Sequence, residues 1–193
     1  MTAGSGATTG TPPSSRAADS FVALLRDSVS VARFHIVLIA MAATVTFGWL
    51  MTGRYLVVLA LVGGADWFVI NLLNRITDLA EDLRNGIPGT ERVARARRGF
   101  QTVAVATLVV STAVTAWLWP AVLPARLAVQ LIGLGYNYRV VPTHRGLSRF
   151  KEIYFLKNFM SAVLFVFTGF VYPLLAAPRA MSWHAVALLA AFF

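Results

Sequence analysis

Read for its hydrophobic and polar positions, the chain alternates long apolar runs with short polar breaks. Apolar runs from Phe34 to Thr52, from Tyr55 to about Leu73 and from Phe100 to Trp119 each approach the ~20 residues that cross a bilayer as a helix. Two further runs, about Ala121 to Tyr138 and about Ile153 to Leu175, have the same character. A sixth begins near Ser182, and its apolar part from Trp183 to Phe193 reaches only roughly 16 Å as a helix, about half of a ~30 Å hydrocarbon core. The pattern predicts an all-α fold, a polytopic transmembrane helical bundle with five full spans and part of a sixth, in a chain that breaks off inside a helix. Residues 1–20 are small, polar and rich in Gly, Pro, Ser and Thr, which predicts a disordered tail ahead of a transmembrane domain over residues 21–193. Phe21–Arg33 reads as an amphipathic lead-in along the membrane surface.

Composition agrees with this pattern. The 193 residues are 58% hydrophobic and only 13% charged, too apolar for a soluble domain of this length. Cysteine is absent, which removes disulfide and thiolate chemistry. A net charge of +9 invites a nucleic-acid reading, but the basic residues lie between apolar spans and no nucleic-acid module is present. Topology accounts for the charge better. Of the 17 Lys and Arg residues, all but Arg54, Arg126 and Arg179 fall in the tail and lead-in, the second-to-third connection or the stretch from Arg139 to Lys157. That bias predicts a multi-pass integral membrane protein with its N-terminus and two long loops in the cytoplasm, in a bacterial-type inner or cell membrane.

The second apolar run ends unusually, in NLLNRITDLAEDLRNGIPG, residues 71–89. Steps of four keep Asn74, Asp78 and Asp82 on one side of a helix, and Gly86, Pro88 and Gly89 predict where that helix stops. Like charges four residues apart repel unless a cation sits against them. Oxygen donors of this kind suit Mg²⁺, which shares its shell with waters and phosphate oxygens. The competing reading is a solvated helix end whose acids are neutralised by Arg75, Arg84 and Arg92.

These residues resemble the UbiA-type intramembrane prenyltransferases. NLLNRITDLAED fits that family's N-x-x-x-D-x-x-x-D signature at Asn74, Asp78 and Asp82, at the inner end of the second helix. In YNYRVVPTHRGLSRFKEIYFLKN, residues 136–158, Arg149 and Lys151 match an R-x-K motif after the fourth helix, and Phe155–Asn158 match the entry to the fifth. The matching tyrosine is Tyr136 or Tyr138. The resemblance covers about residues 30–193, roughly two-thirds of such an enzyme, and implies a second Asp-rich motif beyond the last residue. Two positions depart from the family: Arg75 stands where it often has Asp, and Leu79 where it often has Arg.

The resemblance implies a transferase that moves an isoprenoid chain, within the membrane, from a prenyl diphosphate to a lipophilic, often aromatic, acceptor. It assigns Asn74, Asp78 and Asp82 to Mg²⁺ and diphosphate, and Arg149 and Lys151 to diphosphate oxygens. Lys157 is a further diphosphate candidate or a snorkelling lysine. Asp66, near mid-membrane, is the catalytic candidate because an intramembrane acid is costly. It would orient an acceptor hydroxyl or stabilise the cation, or else be a protonated acid bonded to a neighbouring helix. Trp67, Phe68, Phe165, Phe167 and Phe170 line a tail pocket or simply pack. Two rival classes stay open: a non-catalytic membrane subunit and a cation-coupled transporter bundle. Mg²⁺-dependent release of pyrophosphate from a prenyl diphosphate separates the enzyme from the transporter.

Overall fold

In the computed structural model, residues 29–144 and 146–177 are described, together with residues 187, 190 and 191. The tail, most of the lead-in, Arg179 and the run beginning at Ser182 apart from those three positions lie outside the described residues. Helix α1 runs Phe34–Thr52, as the apolar pattern predicts. It stops at Gly53, whose φ of 70° is open to glycine and whose N–H bonds the Trp49 carbonyl at 2.8 Å. Helix α2, Val57–Thr77, is four residues longer at its C-terminal end than the apolar run suggests. A bend at Asp78 follows, then the short helices α3 (Leu79–Arg84) and α4 (Thr90–Arg95), with left-handed Gly86 and Gly89 between them. Helix α5 covers Arg97–Leu118. A 3₁₀ turn at Pro120–Val122 leads into α6, Leu123–Asn137.

The connection after α6 holds the one departure from an all-helical chain among the described residues. Strands β1 (Val141–Thr143) and β2 (Gly146–Ser148) pair antiparallel, with Val141 opposite Ser148. A 3₁₀ turn at Phe150–Glu152 then delivers the chain to α7, Tyr154–Val166, which passes through a π-helical turn at Phe167–Val171 into α8, Tyr172–Ala176. Four of these segments are long and apolar enough to cross a membrane: Phe34–Thr52, Val57–Thr77, Arg97–Leu118 and Tyr154–Ala176. The predicted fourth span is not among them. Its helix α6 has 15 residues, about 22 Å, preceded by the proline-started turn.

Helix α2 is the central post, with 67% of its apolar window buried against 11% for α5. Its sequence explains this: small Gly63 and Gly64 admit α1 closely, as small residues do between membrane helices. A Cβ on Gly64 would lie 2.6 Å from Met41 Cγ. Helix α5 instead buries Ala104, Ser111 and Thr115 along one line and turns Val103, Val105, Val109 and Val110 outward, a surface suited to lipid. The π turn has a local cause as well. Its Thr168 carbonyl accepts from Thr44 Oγ1 at 3.0 Å, and Thr168 Oγ1 accepts from Trp67 Nε1 at 3.1 Å. Polar groups freed by the widened turn are thereby satisfied inside the bundle.

Candidate functional site

At the C-terminal end of α2 the chain concentrates its polar chemistry. Asn74 sits in the last turn of α2, and Asp78 occupies the bend itself at φ −99°, ψ 13°, so the three signature residues do not ride on one unbroken helix. The bend has a consequence. Asp82 turns inward on α3, is 6% exposed, and pairs through Oδ2 with Arg75 Nη1 at 2.9 Å. Arg75, at the position that departs from the family pattern, also donates to the Ser30 carbonyl at 2.9 Å.

The R-x-K turn meets Asn74 and Asp78 from the opposite side. Arg149 Nη1 binds Asp78 Oδ1 at 2.8 Å. Lys151 Nζ donates to Asn74 Oδ1 at 2.8 Å and to Asp78 Oδ2. Sequence spacing alone could not bring residues 71 positions apart together; the packing of α6 on α2 does so. Glu152 holds the turn in shape, accepting from Arg149 Nε at 2.8 Å and from the Arg149 backbone N–H at 3.1 Å. Those bonds, the backbone one first, hold the Glu152 carboxyl below its usual value. Because that folded-state value is depressed, this clamp is intact at neutral pH and is lost as pH falls through it. Burial lowers the pKa of Lys151, with Asp78 opposing. For Arg149, burial works the same way, but Glu152 and Asp78 outweigh it and the net shift is upward.

A glycine fixes where the turn sits. A Cβ on Gly135 of α6 would lie 2.3 Å from Phe150 Cε2, so the Phe150 ring rests directly on bare backbone. Gly135→Ala is expected to push Phe150 out and carry Arg149 and Lys151 with it. Binding of inorganic pyrophosphate, measured by titration calorimetry, should weaken about tenfold or more, on the scale of a misplaced positioning group. Unchanged binding would separate the glycine from the site.

Two cavities share wall residues here. One, of about 370 Å³, is polar and bordered by Asn74, Asp78, Glu81, Asp82, Arg149 and Lys151, with Lys157 also on its wall. The other, of about 380 Å³, is bordered chiefly by Ile36, Ile39, Trp67, Ile70, Leu164 and Phe165. Arg33, Asn74 and Tyr136 belong to both walls. Lys151 Nζ stands 6.0 Å from the Tyr136 ring centre, whereas Tyr138 is 40% exposed and borders neither cavity. Of the aromatic candidates, Trp67 and Phe165 line the apolar cavity with ring centres 4.1 Å apart. Phe68 and Phe167 pack against the core, and Phe170 stacks on Phe47.

Asp66 belongs elsewhere. It is fully buried at mid-α2, and its carboxylate accepts from Arg126 at 2.7 Å, from Tyr172 Oη at 2.8 Å and from Gln130 Nε2. Arg126 in turn donates to Ser111 at 2.6 Å, Thr112 at 2.9 Å and Thr115 at 3.3 Å. Asp66 borders neither cavity. Arg126, set apart in the sequence from the basic clusters, is 1% exposed inside α6. An intramembrane acid with an intramembrane base on another helix was the signal that would have found this pair.

Among the described residues, no group of three or more His, Asp or Glu side chains is close enough to hold a metal alone. The donors present are amide and carboxylate oxygens, the types that Mg²⁺ takes. Asn74 and Asp78 share one ammonium between them, so their oxygens converge on a single point of the polar cavity. Asp82 offers its carboxylate at the same wall, restrained by Arg75. Comparison of the chain with known protein families, with characterised proteins and with solved structures gives no match.

Proposed function

We propose that the chain is an intramembrane prenyltransferase of the UbiA type, taking a prenyl diphosphate and transferring its isoprenoid chain to a lipophilic acceptor. The observation that carries this reading is the junction of a charged cavity and an apolar cavity through Asn74, Tyr136 and Arg33. Such a polar and apolar pair with shared walls suits a ligand with an anionic head and an oily tail. Neither a solvated helix end nor plain helix packing calls for such a junction.

In this reading Asn74, Asp78 and Asp82 would hold Mg²⁺ at the head-group end, and Arg149 and Lys151 would hand their hydrogen bonds from Asp78 to diphosphate oxygens. Mg²⁺ supplies charge neutralisation that makes diphosphate a better leaving group. The bond between the allylic carbon and the diphosphate oxygen breaks, with its electron pair leaving on the diphosphate. The acceptor's nucleophilic atom then bonds to that carbon, and the acceptor gives up a proton to the released diphosphate. Trp67, Phe165 and their aliphatic neighbours keep water from the allylic cation. Lys157, on the wall of the polar cavity, adds positive charge near the head. Asp66 has no part in this chemistry; it holds the helices that shape the cavity. The distribution of Arg and Lys supports placing the head-group end on the cytoplasmic side.

The test is Mg²⁺-dependent release of pyrophosphate from geranyl, farnesyl and longer prenyl diphosphates by the full protein in lipid, with a panel of phenolic acceptors. Turnover that needs Mg²⁺ and an acceptor is the expected result. Failure to bind pyrophosphate in the presence of Mg²⁺ would remove the basis of the reading.

A further inference from the structure

Asn71 has no duty in the transfer described above, and its side-chain nitrogen has no partner among the described residues. It stands on α2 three residues before Asn74, is 4% exposed, and its side-chain Nδ2 has no hydrogen-bond partner. Buried polar groups in folded chains are nearly always paired, and one left without a partner signals a missing ligand or water. Asn71 borders the apolar cavity, beside Trp67, Ile70 and Phe165. Three residues of helix rise about 4.5 Å, so it lies almost one turn deeper than the Asn74 oxygen that accepts from Lys151.

Most other polar groups on that wall already have partners or carry charge. Ser161 donates to the Lys157 carbonyl at 3.0 Å, and Asn74 Oδ1 accepts from Lys151. Tyr136 stands beside the Lys151 ammonium. Arg33 borders both cavities and suits the anionic head. Asn71 is distinct among them in holding a buried side-chain nitrogen with no partner, between the hydrocarbon and aromatic groups of Trp67, Ile70 and Phe165.

We propose that Asn71 anchors an acceptor subsite: its carboxamide hydrogen-bonds the hydroxyl or carbonyl oxygen of an otherwise apolar ring compound seated in the apolar cavity. The acceptor role rests on the prenyltransferase reading, but the binding does not. The chemistry selects a phenol or quinone-like ring over a plain hydrocarbon. A water-poor pocket with one unpaired polar group rejects a ligand that leaves that group unpaired, because desolvation of the amide is then uncompensated. Position gives the second reason. Placed a turn deeper than the head-group ligands, the amide holds the ring oxygen near where the allylic carbon would lie when the diphosphate occupies the polar cavity. That geometry brings the reacting partners into the short approach that transfer requires.

The experiment compares 4-propylphenol with propylbenzene, which differ only in the hydroxyl, for binding to the full chain in nanodiscs, with partition into protein-free nanodiscs subtracted. The wild type should bind the phenol about tenfold more tightly, the worth of one net hydrogen bond. Asn71→Leu should bind both equally while holding propylbenzene within about twofold of the wild type, which also reports an intact pocket. Asn71→Ala, which adds no bulk, should lose the same preference. A phenol preference kept in both variants, no preference in the wild type, or no binding of either probe to the wild type would each overturn the subsite. Inorganic pyrophosphate with Mg²⁺ is titrated into the same samples and should bind the wild type and Asn71→Leu alike. Loss of pyrophosphate binding by the wild type with the phenol preference intact would sink the prenyltransferase reading and leave this subsite standing.

Discussion

Asp78→Ala is expected to reduce prenyl transfer by at least about a hundredfold while the protein stays folded and inserted. Asp78 is the point where three charges meet: its two oxygens take Arg149 at 2.8 Å and Lys151, and Lys151 also reaches Asn74. Removing the carboxylate deletes a proposed Mg²⁺ ligand and frees both cations from the geometry that aims them at one spot. Loss of one preorganised electrostatic group at a reacting centre typically lowers turnover about 10² to 10³-fold. Folding should survive, because Asp78 lies at a bend near the surface and Arg149 retains Glu152. The check is steady-state pyrophosphate release alongside circular dichroism and detergent-extraction profiles. Asp82→Ala should act differently. Its partner Arg75 is buried, so the loss would show in stability as well as in turnover. Near-normal transfer by Asp78→Ala would remove Asp78 from the site.

Breaking the Asp66–Arg126 pair should destabilise the bundle by about 3–5 kcal/mol, since either remaining charge is left buried without its counterion. The pair joins α2 to α6, and through Ser111, Thr112 and Thr115 it reaches α5, while Tyr172 ties it to α8. Asp66→Asn leaves an uncompensated guanidinium, and Arg126→Gln leaves an uncompensated carboxylate. Asp66→Asn with Arg126→Gln keeps hydrogen-bonding groups at both positions and removes both charges. The double variant should therefore recover most of the loss caused by either single one. Unfolding of the four proteins in mixed micelles, followed by circular dichroism, gives the coupling free energy directly. Additive losses would show that the two side chains do not act as a unit. Transfer by the double variant should persist once it is folded, because Asp66 borders neither cavity.

Much of the candidate site was legible in the chain, and the reason is local. Asn74, Asp78 and Asp82 recur every four residues, and helical periodicity alone puts such positions near one another. Arg149 and Lys151 were visible as a motif, but their meeting with Asp78 was not. That meeting depends on Gly135 seating Phe150 and on α6 lying against α2. Asp82 shows the limit from the other side. Spacing placed it in line with Asp78, yet the bend at Asp78 turned it toward Arg75.

By itself, the sequence determined that this is a helical chain suited to a bilayer. Runs of apolar residues near 20 long must satisfy their own backbone hydrogen bonds, and the helix does so within each run. It also determined where the polar chemistry lies along the chain, because charges are excluded from such runs except at ends or for a partner. Only the tertiary structure decided which charges are neutralised and which face a cavity. Arg126 and Asp66 are 60 positions apart, and Lys151 and Asp78 are 73 apart. Such pairs form through helix packing, a property of side-chain shape across distant segments that no local period encodes.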